Sequence, residues 1–150
     1  MQNHDLKETA RAALSKVPEV TLLFWVIKIA ATTLGETGGD AVSMSMNLGY
    51  LMGTVIFAVV FFIAVAAQIK ADRFHPFLYW TTIIATTTVG TTLADFADRS
   101  LGVGYAGGTA ILSTLLIVSL FAWYRTMGTV SVSSVNTPKA EMFYWITIMF

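Results

Sequence analysis

Four long apolar stretches separated by short polar links organise this chain of 150 residues. They cover residues 20–40, 48–69, 77–95 and 103–124, and a fifth begins at Met142 and reaches Phe150. A bilayer core needs about 20 mostly apolar helical residues. The pattern therefore predicts an all-α integral membrane protein with four full spans plus a truncated fifth. The run from Leu48 to Ile69 is the most lipid-like.

The links orient the spans through their cations. Lys7, Arg11 and Lys16 precede the first span, Lys70 and Arg73 separate the second and third, and Arg125 and Lys139 follow the fourth. All of these fall on one side. Arg99 is alone on the other, where Glu36, Asp40, Asp95 and Asp98 gather. The expected topology is multi-pass with a cytoplasmic N-terminus. Residues 1–19 mix both charges and the following apolar run leads into Glu36 and Asp40, which is not the layout of a signal peptide. They read as a cytosolic tail, helical or disordered.

The apolar pattern also repeats. A shift of 55 residues lays 24–50 on 79–105 without a gap, with 11 of 27 positions identical. Trp25 falls on Trp80, Gly35 on Gly90, Asp40 on Asp95 and Gly49-Tyr50 on Gly104-Tyr105. Two unrelated apolar helices would not align a tryptophan, two glycines and an aspartate, so the period marks tandem duplication. Repeat 1 spans 20–74 and repeat 2 spans 75–130. Residues 131–150 form a loop and the truncated start of repeat 3, where Tyr144-Trp145 matches Tyr79-Trp80. Each unit holds two spans, so successive units insert in the same orientation, as parallel repeats about an axis along the membrane normal.

The residues Phe24-Trp25 through Leu34-Gly35-Glu36 to Asp40, and Tyr79-Trp80 through Val89-Gly90 to Asp95, carry a resemblance. The chain resembles a family of bacterial membrane-anchored proteins of unknown function, built from about four tandem two-helix units with a characteristic tryptophan. The resemblance covers about residues 16–150, two units and the opening of a third. It implies a bacterial inner-membrane location and further C-terminal repeats in full-length members. It brings no activity with it.

Composition agrees with lipid as solvent. Hydrophobic residues make up 55%, charged residues 12%, and mean hydropathy is +0.68, against about 25% charged in soluble domains. Cysteine is absent, which excludes disulfides, thiolate metal sites and cysteine nucleophiles. There is no basic patch interleaved with aromatics, so nucleic acid is not an expected partner. No nucleophile–histidine pairing, phosphate loop or metalloprotease motif is present, and the expectation is a protein that is not an enzyme and needs no cofactor.

The candidate chemistry lies in polar groups at membrane depth. Lys28, Thr32, Gly35, Glu36 and Gly39 share one helical face. A lysine near the centre of a span costs roughly 2.5–3.5 kcal/mol on insertion scales. Lys28 therefore snorkels to the interface, forms an internal pair with a carboxylate, or lines a transport path. Repeat 2 replaces Lys28 by Ile83 and Glu36 by Thr91, so the units are not equivalent. Asp40, Asp95 and Asp98 sit where the helix dipole is negative and call for a cation nearby. Arg99, Lys28 or a bound ion could supply it. Oxygen ligands without cysteine would suit a hard ion such as Mg²⁺ or Mn²⁺. His4 and His75 show no ligand spacing. The threonine-rich third span reads first as interhelical packing and second as a polar lining.

Gly35-x-x-x-Gly39, Gly49-x-x-x-Gly53 and Gly104-x-x-x-Gly108 are small-residue motifs for close helix packing within or between chains. Trp25, Trp80 and Trp145 read as interface anchors, or as stacking platforms for an organic cation. The leading functional expectation is a transporter, or part of one, for a small cation, with Lys28, Thr32, Glu36, Asp40, Asp95 and Asp98 as its ion-binding residues. The rival is a non-transporting scaffold or assembly protein associating through its glycine faces. Expected partners are the lipid bilayer, a small cation, and either a second copy of the chain or further repeats.

Overall fold

The computed structural model describes residues 16–150. The expectation for the tail lies outside the described residues up to residue 15. Among the described residues there are five α-helices and no strand. They are α1 (Leu22–Asp40), α2 (Gly49–Lys70), α3 (Pro76–Asp95), α4 (Gly104–Met127) and α5 (Pro138–Met149).

Local chemistry sets their ends. The Thr21 hydroxyl accepts from the Phe24 amide and opens α1. Thr137 does the same for Ala140 at the start of α5. Proline stands in the first turn of α3 and of α5, where its missing N–H costs nothing. Gly128 ends α4 in the left-handed conformation, its amide donating to the Tyr124 carbonyl at 2.8 Å. The apolar run was expected to open the fifth helix at Met142, but that cap starts it at Pro138.

The turn inside each unit is the same device used twice. A single π-helical turn follows α1 (Ala41–Ser45) and α3 (Phe96–Ser100). Positive φ angles follow at Asn47 and Gly49 in the first unit and at Gly102 and Gly104 in the second. Open space surrounds the Cβ position of both Gly49 and Gly104, so they act through backbone conformation and make no helix contact there. We predict that Gly49→Ala and Gly104→Ala each lower stability by roughly 1–2 kcal/mol, the cost of an L-residue in that region. Thermal midpoints of the purified variants measure this; a neutral result in both would remove the turn from the account.

α3 is the centre of the assembly. It packs along α1 on one side and α2 on the other, while α1 and α2 meet mainly through the turn that joins them. α5 takes the corresponding place in the second unit, against α4 and α3, and also reaches α2. The core holds Phe61, Tyr79, Ile83, Val89 and Trp145 together with Thr82, Thr86, Thr88 and Thr92. The outside is the more apolar part: Leu22, Trp25, Ile29, Leu34, Phe62, Ile63, Ile117 and Phe121 are all exposed.

Four full spans were expected, and two helices meet the test of length and composition for crossing a membrane: α2 and α4. Less than a quarter of either apolar window is buried, unlike the core helix of a soluble domain. α1 and α3 have 19 and 20 residues, enough length. Their charges and hydroxyls hold their composition below the mark.

Candidate functional site

The acidic residues come together at the end of the bundle formed by the two π-turns. The Arg99 Nε lies 3.3 Å from Asp95 Oδ1 one turn away. Arg99 also donates to the Tyr50 hydroxyl at 2.8 Å and lies 5.4 Å from that ring's centroid. Asp95, first, and Tyr50 hold the exposed Arg99 guanidinium above its ordinary pKa. The charges of Asp40, Asp98 and Glu36 all act on Asp95. Asp95, Asp98, Tyr105, Gly108 and Thr109 line a cavity of about 110 Å³. Among the described residues, no three histidine, aspartate or glutamate side chains are grouped so as to hold a metal ion. The acids form a negative field rather than a chelating cage.

A second cavity, of about 340 Å³, lies next to the first. Lys28 and Thr32 of α1 and Thr87, Gly90 and Thr91 of α3 form its walls, and the end of α5 closes one side. Ala94 and Leu112 line both cavities, so the two abut. The expected Lys28–carboxylate pair is not formed: Glu36 is exposed two turns along, and no ion pair joins them. Lys28 and Thr32 face the larger cavity. Asp95 and Asp98 face the smaller one, while Asp40 lines neither and reaches the site only through its electrostatic effect on Asp95.

The glycine motifs divide into three uses. Gly35 and Gly39 are buried against α3: a Cβ on Gly35 would lie 3.0 Å from the Ile84 carbonyl oxygen, and one on Gly39 3.0 Å from Thr92 Cγ2. Gly53 receives the Ser43 side chain from the turn above it. Gly108 has nothing within 4 Å of its Cβ position and opens onto the acidic cavity instead. Asp98 of the second turn occupies the register of Ser43 in the first, so one notch is filled and its twin lies open between carboxylates.

Two features escaped the sequence pattern. The first is Gly90, the repeat counterpart of Gly35: its Cβ would lie 2.6 Å from the Met149 carbonyl oxygen. Met149 holds in α5 the register of Ile84 in α3, so α5 sits on α3 as α3 sits on α1. The aromatic pairs repeat too: Phe24 meets Trp80 at 5.5 Å, and Tyr79 meets Trp145 at 5.5 Å. Trp145, expected at an interface, is 1% exposed, whereas Trp25 is 54% exposed.

The second is a buried polar knot at the opposite end. Lys16 Nζ stands 2.8 Å from Glu141 Oε1, with side-chain exposures of 12% and 1%. The same ammonium donates to the Ile69 carbonyl at 3.1 Å, and Gln68 Nε2 donates back to the Lys16 carbonyl at 3.4 Å. Burial raises the Glu141 carboxyl above the usual range, and Lys16 opposes that shift. Close by in the core, the Tyr79 and Tyr144 hydroxyls share a 2.8 Å hydrogen bond. In the sequence Lys16 is one loop cation among several, and Glu141 is a lone acid at the start of a short helix. Nothing local couples residues 125 positions apart.

The model of a family described as Repeat of Unknown Function (DUF347) matches the chain twice, over residues 23–74 and 78–129. The matches are displaced by the same 55 residues as the internal repeat. No curated protein and no solved structure matches the chain.

Proposed function

The chain belongs to that repeat family, and from this premise we propose that it is a polytopic membrane protein that transports a small cation. The observation that carries the reading is the pair of abutting cavities in a helical bundle whose outer surface is apolar. A soluble fold hides such side chains, whereas a bilayer solvates them. In this reading α1 to α4 all lie within the membrane. α3 is rich in threonine, and Thr82, Thr86, Thr88 and Thr92 are buried where α1, α2 and α5 pack on it, whereas Thr81 is exposed. The exposed cations Lys70, Arg73, Arg125 and Lys139 gather at the end away from Glu36, Asp40, Asp95 and Asp98. By the positive-inside rule, that end and the N-terminus are cytoplasmic.

The carboxylates of Glu36, Asp40, Asp95 and Asp98 then form a mouth on the outer side. Among the described residues only Arg99 is paired with one of them, and the surplus negative field raises the local cation concentration. The field without a chelating cluster favours an ion that keeps part of its water. The scaffold alternative has less to work with, because Gly35, Gly39 and Gly53 are occupied by contacts inside the chain.

Thermal unfolding of the detergent-purified chain tests the reading, with Na⁺, guanidinium, Mg²⁺, Mn²⁺ and Ca²⁺ as a panel. A selective ion at a hundredfold excess over its Kd should raise the midpoint by on the order of 5–10 °C. Asp40→Asn/Asp95→Asn should abolish the shift while the protein still inserts. A flat response across the panel in folded protein would defeat the cation reading.

A further inference from the structure

We propose that the larger cavity is a binding site for a small monoanion, held by the Lys28 ammonium and the Thr87 and Thr91 hydroxyls. This goes beyond the cation reading: it shares the larger cavity with that reading but rests on Lys28, Thr87 and Thr91 rather than on the carboxylates.

Lys28 is the one charged side chain among the described residues that line this cavity. It is half-buried and makes no ion pair. An ammonium carries three donors and no acceptor, so it asks its surroundings for negative charge. At membrane depth an uncompensated lysine costs several kcal/mol by insertion scales, and a bound anion offsets that cost directly.

The threonines sort themselves in the same direction. Thr82, Thr86, Thr88 and Thr92 of α3 each donate their hydroxyl to a carbonyl one turn back. Thr32 does so as well, to Lys28 and Ile29. The side-chain hydroxyls of Thr87 and Thr91, the two α3 threonines on the cavity wall, make no hydrogen bond. They stand one turn apart on the same face, across from Lys28. Their hydroxyl protons are uncommitted, so the wall offers two neutral donors beside a cationic one. Gly90 between them keeps the wall low.

Size and charge narrow the ligand. A water takes about 30 Å³ of liquid volume, so about 340 Å³ admits a chloride, nitrate or acetate-sized ion with part of its hydration shell. One ammonium balances one negative charge. Asp95 and Asp98 in the abutting cavity penalise a dianion. The second unit cannot repeat the site, because Ile83 holds the register of Lys28 and is buried in the core. The asymmetry between the units then has a chemical meaning: one half carries the anion site and the other contributes its hydroxyl wall.

The test is thermal unfolding of the detergent-purified full chain at fixed sodium concentration, replacing gluconate stepwise by chloride, nitrate or acetate. The expected result is a saturable rise of the midpoint, on the order of 5 °C at saturation, with at least one of these ions. Lys28→Met should weaken the apparent affinity at least tenfold, and Lys28→Arg should retain it. Thr87→Val/Thr91→Val, which removes the donors at nearly constant volume, should also weaken it if Lys28→Met fails to fold. Asp95→Asn should leave it intact. No saturable response to any of the three ions, or an undiminished response in Lys28→Met or in the double valine variant, overturns the anion site. Loss of the cation shift with the anion shift retained would defeat the cation reading alone.

Discussion

Lys16→Met should destabilise the protein by about 3–5 kcal/mol, the cost of stripping a buried charge of its partner. Glu141 is almost fully buried, and its Oε2 has no partner at all. Removing Lys16 leaves both carboxylate oxygens orphaned. It also uncaps the Gln68 and Ile69 carbonyls at the negative end of the α2 dipole. The double variant Lys16→Met/Glu141→Leu should recover most of the loss, because apolar replacement of a whole buried pair is close to neutral. The knot ties the segment before α1 to α2 and α5, so the single variant should also loosen α5. Denaturation midpoints of the three proteins decide the matter. A loss below about 1 kcal/mol in Lys16→Met would mean that the pair is solvated and carries little, as exposed ion pairs do.

Gly35→Leu and Gly90→Leu should each cost about 1–3 kcal/mol or more by overpacking, with different consequences. At both positions the obstacle is a carbonyl oxygen of the neighbouring helix backbone, Ile84 against Gly35 and Met149 against Gly90. A backbone cannot swing aside as a side chain does, so the helices must part. In Gly35→Leu that separates α1 from the central helix and disturbs the whole bundle. In Gly90→Leu the damage should stay in α5, which touches α3 there by its last turn. The chain has no cysteine, so a single Thr147→Cys placed on α5 reports its detachment by thiol labelling. Thr147 is hydrogen-bonded to Ser119 at 2.9 Å in the intact protein. Faster labelling in the Gly90→Leu background, with α1–α3 packing preserved, is the expected result. Equal labelling in both backgrounds would show that α5 does not depend on this seat.

The first four helices, to within a few residues, and the internal repeat were legible in the residues alone, whereas the start of the fifth at Pro138 was not. Apolar runs of near-spanning length and a period of 55 are local or self-comparative signals. The paired turns were partly legible too, since Gly49 and Gly104 recur in register. Their use was not, because a glycine kept for a positive φ and one kept for close packing look alike in sequence. The burial of threonine instead of leucine in α3 also follows no local rule. It arises because α3 lies between α1 and α2, where small hydroxyl side chains fit against Gly35 and Gly39.

The same division holds for the candidate sites. Lys28, Glu36, Asp40, Asp95 and Asp98 stand out in an apolar chain because charge at membrane depth is costly. Their grouping depends on which helices meet. The fold separates Lys28 from the carboxylates and sets it beside Thr87 and Thr91, while the two π-turns bring the acids of both units to one end. Gly90 and the Lys16–Glu141 pair stayed hidden for the same reason. Periodicity describes one helix at a time, whereas these contacts exist only where a second helix lies across the first.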